Sequence, residues 1–185
     1  MKELSLNILD IVENSTKAKA ELISIEIDET DVFLSIKITD DGIGMDADAL
    51  RSVSDPFYTT RTTRKLGMGI PLFRLAAEQS GGSLSITSTH KDQDINNHGT
   101  TVIASFDKTN IDFTPLGDII STIVTLIQGH PTVDFVFCHR NGTECVGIDT
   151  RDMRQVLEDI PLDSFEVLTW VKDNLTEQYY EFNKK

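Results

Sequence analysis

Four short elements recur in a fixed order in the first part of this chain. Asn14 lies in a helical pattern, Asp40-Asp41-Gly42-Ile43-Gly44-Met45 follows a strand-like segment, and Gly67-Met68-Gly69 and Gly99-Thr100-Thr101 come later. One Asp-x-Gly-x-Gly turn is common by chance. Four elements in this order, each at an end of a helix or strand, are not expected by chance, and they indicate one shared ligand site.

The first element is an amphipathic helix over residues 4–20. Its apolar stripe has helical spacing: Leu4, Ile8, Ile11 and Ser15. Its polar stripe has the same spacing: Asn7, Asp10, Asn14 and Lys17. A solvated face is one interpretation of the polar stripe. Asn14 argues against it, because Asn is a poor residue in mid-helix and its amide oxygen suits a hard cation such as Mg²⁺.

The second element follows an alternating strand, residues 33–39, that ends at Asp40. A carboxylate fixed at a strand end can accept a hydrogen bond from an exocyclic amine such as that of adenine. Gly42 and Gly44 lack Cβ atoms, so the backbone can approach a flat ring. The alternative is a simple turn before a helix over residues 45–53, since Asp-Gly is also a turn signal.

The third element is the polar run Thr59–Lys65, which carries three cations and four hydroxyls. These side chains suit phosphate oxygens, and the candidate phosphate-binding residues are Thr60, Arg61, Arg64 and Lys65. Gly67 and Gly69 lead into a helix over residues 70–80, whose N-terminus forms an anion site. The alternative, a basic surface loop, is disfavoured in so acidic a chain.

The fourth element, Gly99-Thr100, opens a short strand over residues 99–106. Its position matters more than its composition, because it supplies a neighbour for a strand over residues 84–88.

Together these motifs resemble those of the GHKL superfamily of ATP-binding proteins, which includes gyrase-type topoisomerases, heat-shock chaperone ATPases, histidine kinases and mismatch-repair ATPases. Residues 10–15 resemble the N box, residues 40–44 the first glycine box, and residues 55–60 with 67–69 the histidine-kinase F and second glycine boxes. Gly99-Thr100 resembles the final box. The resemblance covers residues 1–107 and implies an α+β fold, a two-layer Bergerat-type sandwich whose mixed sheet is covered by helices on one face.

The resemblance also implies the ligands, ATP and Mg²⁺, and a role for each matching residue. Asn14 is expected to bind the metal, Asp40 the adenine amine, and Lys17 a phosphate. Thr100 is expected on the adenine side of the site. The nucleotide loops are expected to be shaped by four glycines: Gly42, Gly44, Gly67 and Gly69.

Asp10 stands four residues before Asn14, where hydrolytic members and anti-sigma kinases usually carry a Glu general base and classical histidine kinases often carry Asn. Asp keeps the carboxylate but is one methylene shorter, so its reach toward a substrate is reduced. The chain also begins almost at the N box, so we expect no dimerising histidine domain of the sensor-kinase type.

The whole chain is also similar to small stand-alone ATP-binding proteins of anaerobic bacteria that are often encoded near iron-only hydrogenase genes. The residues behind this are Met1-Lys2-Glu3-Leu4, Thr59–Lys65, Pro115-Leu116-Gly117-Asp118 and Asp149-Thr150-Arg151. This second resemblance implies no particular reaction.

The 185 residues fit one domain, or one domain with a small appendage. We expect an ATP-binding domain over residues 1–107 and an α-β-β-α-α region over residues 108–185. The expected elements of that region are helices over 116–128, 151–159 and 164–182 and strands over 133–139 and 143–148. Thr114-Pro115 reads as the start of the first helix. Because so small a region buries little alone, we expect it to pack on the sheet or to form a homodimer or partner surface.

The net charge of −13 opposes nucleic-acid binding. No apolar run is long enough to span a membrane, and a cytoplasmic protein is expected. Cys138 and Cys145 flank the Asn141-Gly142 turn and could be cross-strand neighbours, and two reduced thiols are favoured. The four histidines, at positions 90, 98, 130 and 139, share no metal-binding spacing.

Two functions remain open at this point. The first is an ATP-dependent protein kinase, similar to histidine kinases or anti-sigma kinases, that acts on a separate protein and uses Asp10 as its base. The second is a nucleotide-gated interaction module, in which ATP orders residues 59–65 and residues 108–185 report that order to a partner. A structural protein that has lost nucleotide binding is disfavoured, because Asn14, Asp40 and the four glycines are intact.

Overall fold

The computed structural model describes residues 3–54 and 68–184. In chain order its elements are α1 Leu4–Lys17, β1 Leu22–Glu29, β2 Phe33–Asp40, α2 Ala47–Ser54, α3 Gly69–Gln79, β3 Ser83–Thr89, β4 Gly99–Asp107, α4 Ile119–Gly129, β5 Asp134–Asn141, β6 Glu144–Asp149, α5 Thr150–Leu157 and α6 Phe165–Phe182.

The six strands form one mixed sheet in the order β3-β4-β2-β1-β5-β6. The β1–β5 pair is parallel and the other pairs are antiparallel. Patterning alone did not assign β1, although Ile23, Ile25 and Ile27 alternate along it and are all buried. In the register of β2 with β4, Asp40 lies opposite Thr100, so two predicted site residues meet at one end of the sheet.

Each central strand buries every second residue, as Leu34, Ile36 and Ile38 do on β2. The buried side chains join apolar residues of the helices in one core cluster. Among the helices, α3 contacts α1, α1 contacts α4, and α4 contacts α6. Polar residues such as Ser35 and Lys37 occupy the alternate positions of the sheet. The expected two-layer α+β sandwich, with helices on one face of a mixed sheet, is therefore confirmed.

Residues 108–184 follow the expected α-β-β-α-α order and extend the same sheet. Strand β5 lies in parallel register with β1, with Phe137 beside Ile25. At the sheet edge, the Gln178 side chain of α6 bonds both the N–H and the C=O of Gly147 on β6, which satisfies two backbone groups of an edge strand. The division of the chain into two domains at residue 107 stays a prediction.

The start of α4 differs from expectation. The helix begins at Ile119, and Asp118 caps it by accepting a hydrogen bond from the backbone N–H of Ser121. The Thr114-Pro115 signal was wrong because the carbonyls of Pro115 and Leu116 accept hydrogen bonds from the N–H groups of Leu4 and Ser5. This segment therefore caps the N-terminus of α1 instead of coiling into a helix of its own.

The cysteines also differ from expectation. Cys138 and Cys145 are joined as a disulfide across the β5–β6 hairpin, with Cα atoms 6.2 Å apart, so two reduced thiols are not what the structure contains. The two residues occupy diagonal positions, because Cys138 pairs with Gly147 and Cys145 with Arg140. Within residues 3–54 and 68–184, no helix combines the length and apolar composition that crossing a membrane requires.

Candidate functional site

A cavity of about 230 Å³ opens between α1, α3 and the neighbouring ends of β2 and β4. Apolar side chains form much of its wall: Ile11, Met45, Val53, Ile70 and Val102. Polar side chains reach it from α1 and the sheet: Asn14, Ser15, Asp40 and Thr100. An apolar slot with a few convergent polar groups is the usual form of a small-molecule site.

Asp40 is the buried acid of this cavity, with 8% of its surface exposed. Its Oδ2 accepts a hydrogen bond of 2.6 Å from the Ser15 hydroxyl. Its Oδ1 accepts hydrogen bonds from the backbone N–H groups of Gly42, at 3.0 Å, and Thr100, at 3.3 Å. Burial raises the pKa of the Asp40 carboxyl, and these hydrogen bonds oppose the rise only in part. The carboxylate is thus held in one orientation by three separate segments.

Ser88 of β3 ties together the segments beside Asp40. Its hydroxyl accepts from the N–H of Met45 at 2.8 Å and lies 2.9 Å from both the carbonyl of Gly99 and the hydroxyl of Thr100. The predicted residue Thr100 is therefore oriented by β3 as well as by Asp40.

Gly44 lines the cavity at a φ of +69°. A Cβ at this position would lie 2.0 Å from the backbone carbonyl oxygen of Thr89, so no other residue fits without moving the chain. The expectation was that glycine lets a flat ring approach. The structure gives a further reason, since the turn itself packs against β3 at this point.

The polar stripe of α1 is not a uniform solvated face. Asn7 is buried, and its side-chain amide has no hydrogen-bond partner among the described residues. Asn14 is half-buried and lines the cavity, whereas Asp10 and Lys17 are exposed. Lys17 does not line the cavity, so the structure does not bring this predicted phosphate ligand to Asp40.

The side chain of Asn14 is free to act as a metal ligand. No hydrogen bond joins its side-chain amide to another described residue, and Asn14 lines the same cavity as Asp40. A hard cation such as Mg²⁺ takes oxygen ligands and keeps several waters, so one amide oxygen beside a nucleotide phosphate suits it. Residues 3–54 and 68–184 contain no cluster of three or more His, Cys, Asp or Glu side chains that could hold a metal by themselves.

Asp10 of α1 lies against Gly69 of α3. A Cβ on Gly69, the first residue of α3, would meet the Asp10 Cβ at 2.8 Å and its Oδ2 at 3.5 Å. The predicted catalytic carboxylate therefore lies beside the N-terminus of a helix, where backbone N–H groups favour anions. The remaining predicted phosphate residues lie outside the described part of the chain: Thr60, Arg61, Arg64, Lys65 and Gly67.

Sequence reasoning missed three contributors to this site. Ser15 was assigned to the apolar stripe of the helix, and its position beside Asn14 on an inward face was the available signal. His98 was given no role, yet its Nδ1 lies 2.6 Å from the carbonyl oxygen of Gly42. Ser88 gave no signal at all, because its partners, Met45, Gly99 and Thr100, come from two other segments of the chain.

The sequence matches the family described as histidine kinase-, DNA gyrase B-, and HSP90-like ATPases over residues 2–110. This match covers more than half of the chain, and the protein belongs to this family. The expected membership of the GHKL superfamily is therefore confirmed, whereas the association with hydrogenase genes stays a prediction.

A sensor histidine kinase, ZraS of Escherichia coli O157:H7, is 29% identical over 83 residues, which are 44% of this chain and 18% of that kinase. This chain thus spans less than a fifth of that relative. The ADP-complexed MutL ATPase domain of Aquifex aeolicus superposes with a TM-score of 0.53 at 15% identity, covering 85% of this chain and 70% of that one. The N-terminal domain of a DNA repair protein superposes at 0.50 with 20% identity, covering 80% and 53%. These two likenesses concern the fold.

Proposed function

We propose that the cavity at Asp40 binds ATP with Mg²⁺. The observation that carries this proposal is the buried Asp40 carboxylate, fixed by Ser15, Gly42 and Thr100 at the base of a slot with apolar walls. An exocyclic amine donates to a carboxylate, and apolar walls suit a flat purine. The family membership and the ADP-bound MutL domain of similar fold support the same ligand.

Asn14 would hold the Mg²⁺ ion in this proposal, through its side-chain oxygen. The ion would supply positive charge that offsets the phosphates of the nucleotide. The free amide of Asn14, on the same cavity as Asp40, supports this assignment.

The direct test is titration calorimetry with ATP and with ADP, each at saturating Mg²⁺. We expect the unaltered protein to bind nucleotide. Asp40→Asn should weaken the affinity at least about 100-fold, because a neutral amide replaces the carboxylate that accepts the amine hydrogen bond at a buried site. Asp41→Asn is the matched control. Asp41 is the next residue, and it uses its carboxylate to accept hydrogen bonds from the N–H groups of Glu21 and Leu22. Absence of heat from both nucleotides with the unaltered protein would refute the proposal.

We further propose that the protein is a kinase acting on a separate protein, with Asp10 as general base. The Asp10 carboxylate would accept the proton of a hydroxyl group on the acceptor protein, while the oxygen of that hydroxyl forms a bond to the γ-phosphorus of ATP. The bond from that phosphorus to the β–γ bridging oxygen would break, and ADP would leave. The exposure of Asp10 and its contact with the start of α3 support this role. The histidine-kinase relative supports the reaction class.

Radiolabelled ATP, incubated with the protein and a lysate of its native cell, tests the transfer. We expect label on a lysate protein, and no label with Asp10→Asn although that variant still binds ATP by calorimetry. Asp31→Asn, an exposed change in the β1–β2 turn, controls for loss of charge alone. If Asp10→Asn transfers phosphate at the unaltered rate, Asp10 is not the base.

One observation favours the second function, a nucleotide-gated interaction module. Glu13, the neighbour of Asn14, bonds His130 at the end of α4 with Oε1 and Nε2 2.8 Å apart. Residues 108–184 thus contact the helix that would hold the metal. If the unaltered protein turns over no ATP with any lysate fraction, while ATP changes its binding to a partner, this function replaces the kinase. The cytoplasmic location stays a prediction under either function.

A further inference from the structure

A second cavity lies between α5 and α6. Its volume is about 560 Å³, and its lining is almost wholly apolar: Met153, Val156, Leu157, Ile160, Val167 and Trp170. We call these residues the α5–α6 groove. Because α5 follows β6 at the sheet edge, whereas Asp40 is on β2, the groove is formed by residues other than those that line the Asp40 cavity.

The groove is unusual in how much of its lining remains exposed. Val156 is 83% exposed and Trp170 is 53% exposed, and Ile160 is also exposed. Scattered exposed apolar residues are normal, but a contiguous apolar groove indicates an interaction site.

The charged residues around the groove indicate the charge that a binding partner would carry. Asp152 and Glu166 border it, and neither makes a salt bridge with another residue of the described ranges. Residues 150–184 contain eight acidic and four basic residues. Three of those basic residues already pair elsewhere: Arg151 with Asp149, Arg154 with Asp134, and Lys184 with Glu181. The rim of the groove is therefore an acidic border without a salt bridge of its own, although the charge of Arg151 also acts on Asp152.

We propose that the α5–α6 groove binds an amphipathic helix of a partner protein whose apolar face is flanked by Lys or Arg. Helix-in-groove recognition needs an apolar trough that accepts anchors at i, i+3, i+4 and i+7, and the groove between the two helices supplies one. The acidic border selects basic flanks and repels acidic ones. A second copy of this chain is disfavoured because each copy carries a net charge of −13. An anionic membrane surface is disfavoured for the same reason.

Trp170 is the only tryptophan of the chain, so its fluorescence reports on the groove directly. The probes are three synthetic peptides of about 18 residues, or roughly 27 Å as a helix. One has leucines on one helical face and lysines around them, one replaces every lysine by glutamate, and one scrambles the lysine peptide. We expect a blue shift of Trp170 emission with the lysine peptide, at least about tenfold tighter binding than for the other two, and weakening by added salt.

Variants locate the binding. Two variants should each weaken lysine-peptide binding about tenfold or more. One is Val156→Asp, and the other combines Asp152→Lys with Glu166→Lys. Tyr180→Ala matches them as a control, since Tyr180 is an exposed aromatic residue of α6 that does not line the groove. For the charge reversal, the control pair is Asp31→Lys with Asp92→Lys, both exposed and distant in sequence. Circular dichroism of each variant confirms that the fold is retained.

Each other outcome overturns the proposal. Equal binding of the lysine and glutamate peptides removes the role of the acidic border. Equal binding of the scrambled peptide shows attraction by net charge alone. A blue shift with protein concentration in the absence of peptide, with a dimer by sedimentation, assigns the groove to a second copy. A blue shift with phosphatidylserine vesicles but not with peptides assigns it to a membrane. No shift with any probe leaves the groove without the proposed partner.

Discussion

The Ser15 hydroxyl donates a hydrogen bond of 2.6 Å to Oδ2 of Asp40, joining the end of α1 to the end of β2 across the base of the cavity. This bond holds a buried carboxylate whose other oxygen accepts two backbone N–H groups. Because the bond stabilises the charged form of Asp40, it opposes the effect of burial on the pKa of that group.

Removing the Ser15 hydroxyl should therefore act on Asp40. We expect Ser15→Ala to raise the pKa of Asp40 further and to weaken ATP binding by about tenfold, the effect of losing one hydrogen bond of about 1.4 kcal/mol. Calorimetry with ATP measures the affinity. Ser52→Ala is a control, because Ser52 also lines the cavity but donates to the backbone carbonyl of Asp48. An equal loss of ATP affinity in both variants would contradict a specific role for Ser15.

The raised pKa of Asp40 predicts a pH dependence for both stability and binding. In the folded protein Asp40 keeps its proton to a higher pH than in the unfolded chain, so its contribution to stability is present at low pH and falls as pH rises through the folded pKa. An amine donor favours the carboxylate, so ATP binding should strengthen over that same pH interval and release a proton.

Calorimetry in two buffers of different ionisation enthalpy measures this proton release. In Ser15→Ala, we expect the pH interval over which ATP binding strengthens to move to higher pH. An affinity for ATP that does not change with pH, together with no proton release, would show that Asp40 is ionised throughout and is not coupled to the ligand.

Gly44→Ala should destabilise the fold by several kcal/mol, because a Cβ would lie 2.0 Å from the Thr89 carbonyl at a φ of +69°. Gly129→Ala is the matched control, since a Cβ there meets nothing within 4 Å and φ is not positive. Urea unfolding compares the free energies of unfolding. A loss for Gly44→Ala no larger than that for Gly129→Ala would mean that the turn can move away from β3.

Glu29 stabilises the junction of β1 with α6. Its carboxylate bonds the buried His139 at 2.9 Å and Lys108 at 2.6 Å, and His139 in turn bonds the Tyr179 hydroxyl at 2.9 Å. The hydrogen bond from His139, followed by Lys108, lowers the pKa of Glu29 to about 2 despite partial burial. Burial, followed by the nearby Glu29 charge, raises the pKa of Tyr179.

Because the pKa of Glu29 is lowered in the folded state, its contribution to stability is present above about pH 4.5 and is lost as pH falls toward about 2. We expect Glu29→Gln to reduce the free energy of unfolding at neutral pH by about 1–3 kcal/mol and to flatten this acid dependence. Glu26 is a control of similar exposure on the same strand, whose partners Lys37 and Arg140 are each 43% exposed, and Glu26→Gln should cost less than about 1 kcal/mol. Equal effects would mean that the Glu29 network behaves as an ordinary surface pair.

Asn14→Ala should remove the dependence of ATP binding on Mg²⁺. We expect ATP affinity in excess Mg²⁺ to fall to the value measured with a chelator, because the amide oxygen that would hold the metal is gone. Asn174→Ala, on α6, is the control. A variant that keeps the full effect of Mg²⁺ would show that Asn14 is not a metal ligand.

The periodicities of α1 and β2 and the position of Asp40 at a strand end were predictable because they depend on neighbours in sequence. The helix face that carries Asn14 was predictable for the same reason. Local signals failed where a distant partner intervened. Thr114-Pro115 reads as a helix start, but the carbonyls of that segment are taken by the N–H groups of Leu4 and Ser5.

The sequence by itself therefore determined which residues have the chemistry for the proposed nucleotide site and the order in which they occur. Only the tertiary structure decided that β1 lies at the centre of the sheet, that Ser15 and Ser88 hold Asp40 and Thr100, and that a groove opens between α5 and α6. Those features depend on contacts between residues far apart in the chain. Such contacts follow from how strands pair and helices pack, which residue spacing does not specify.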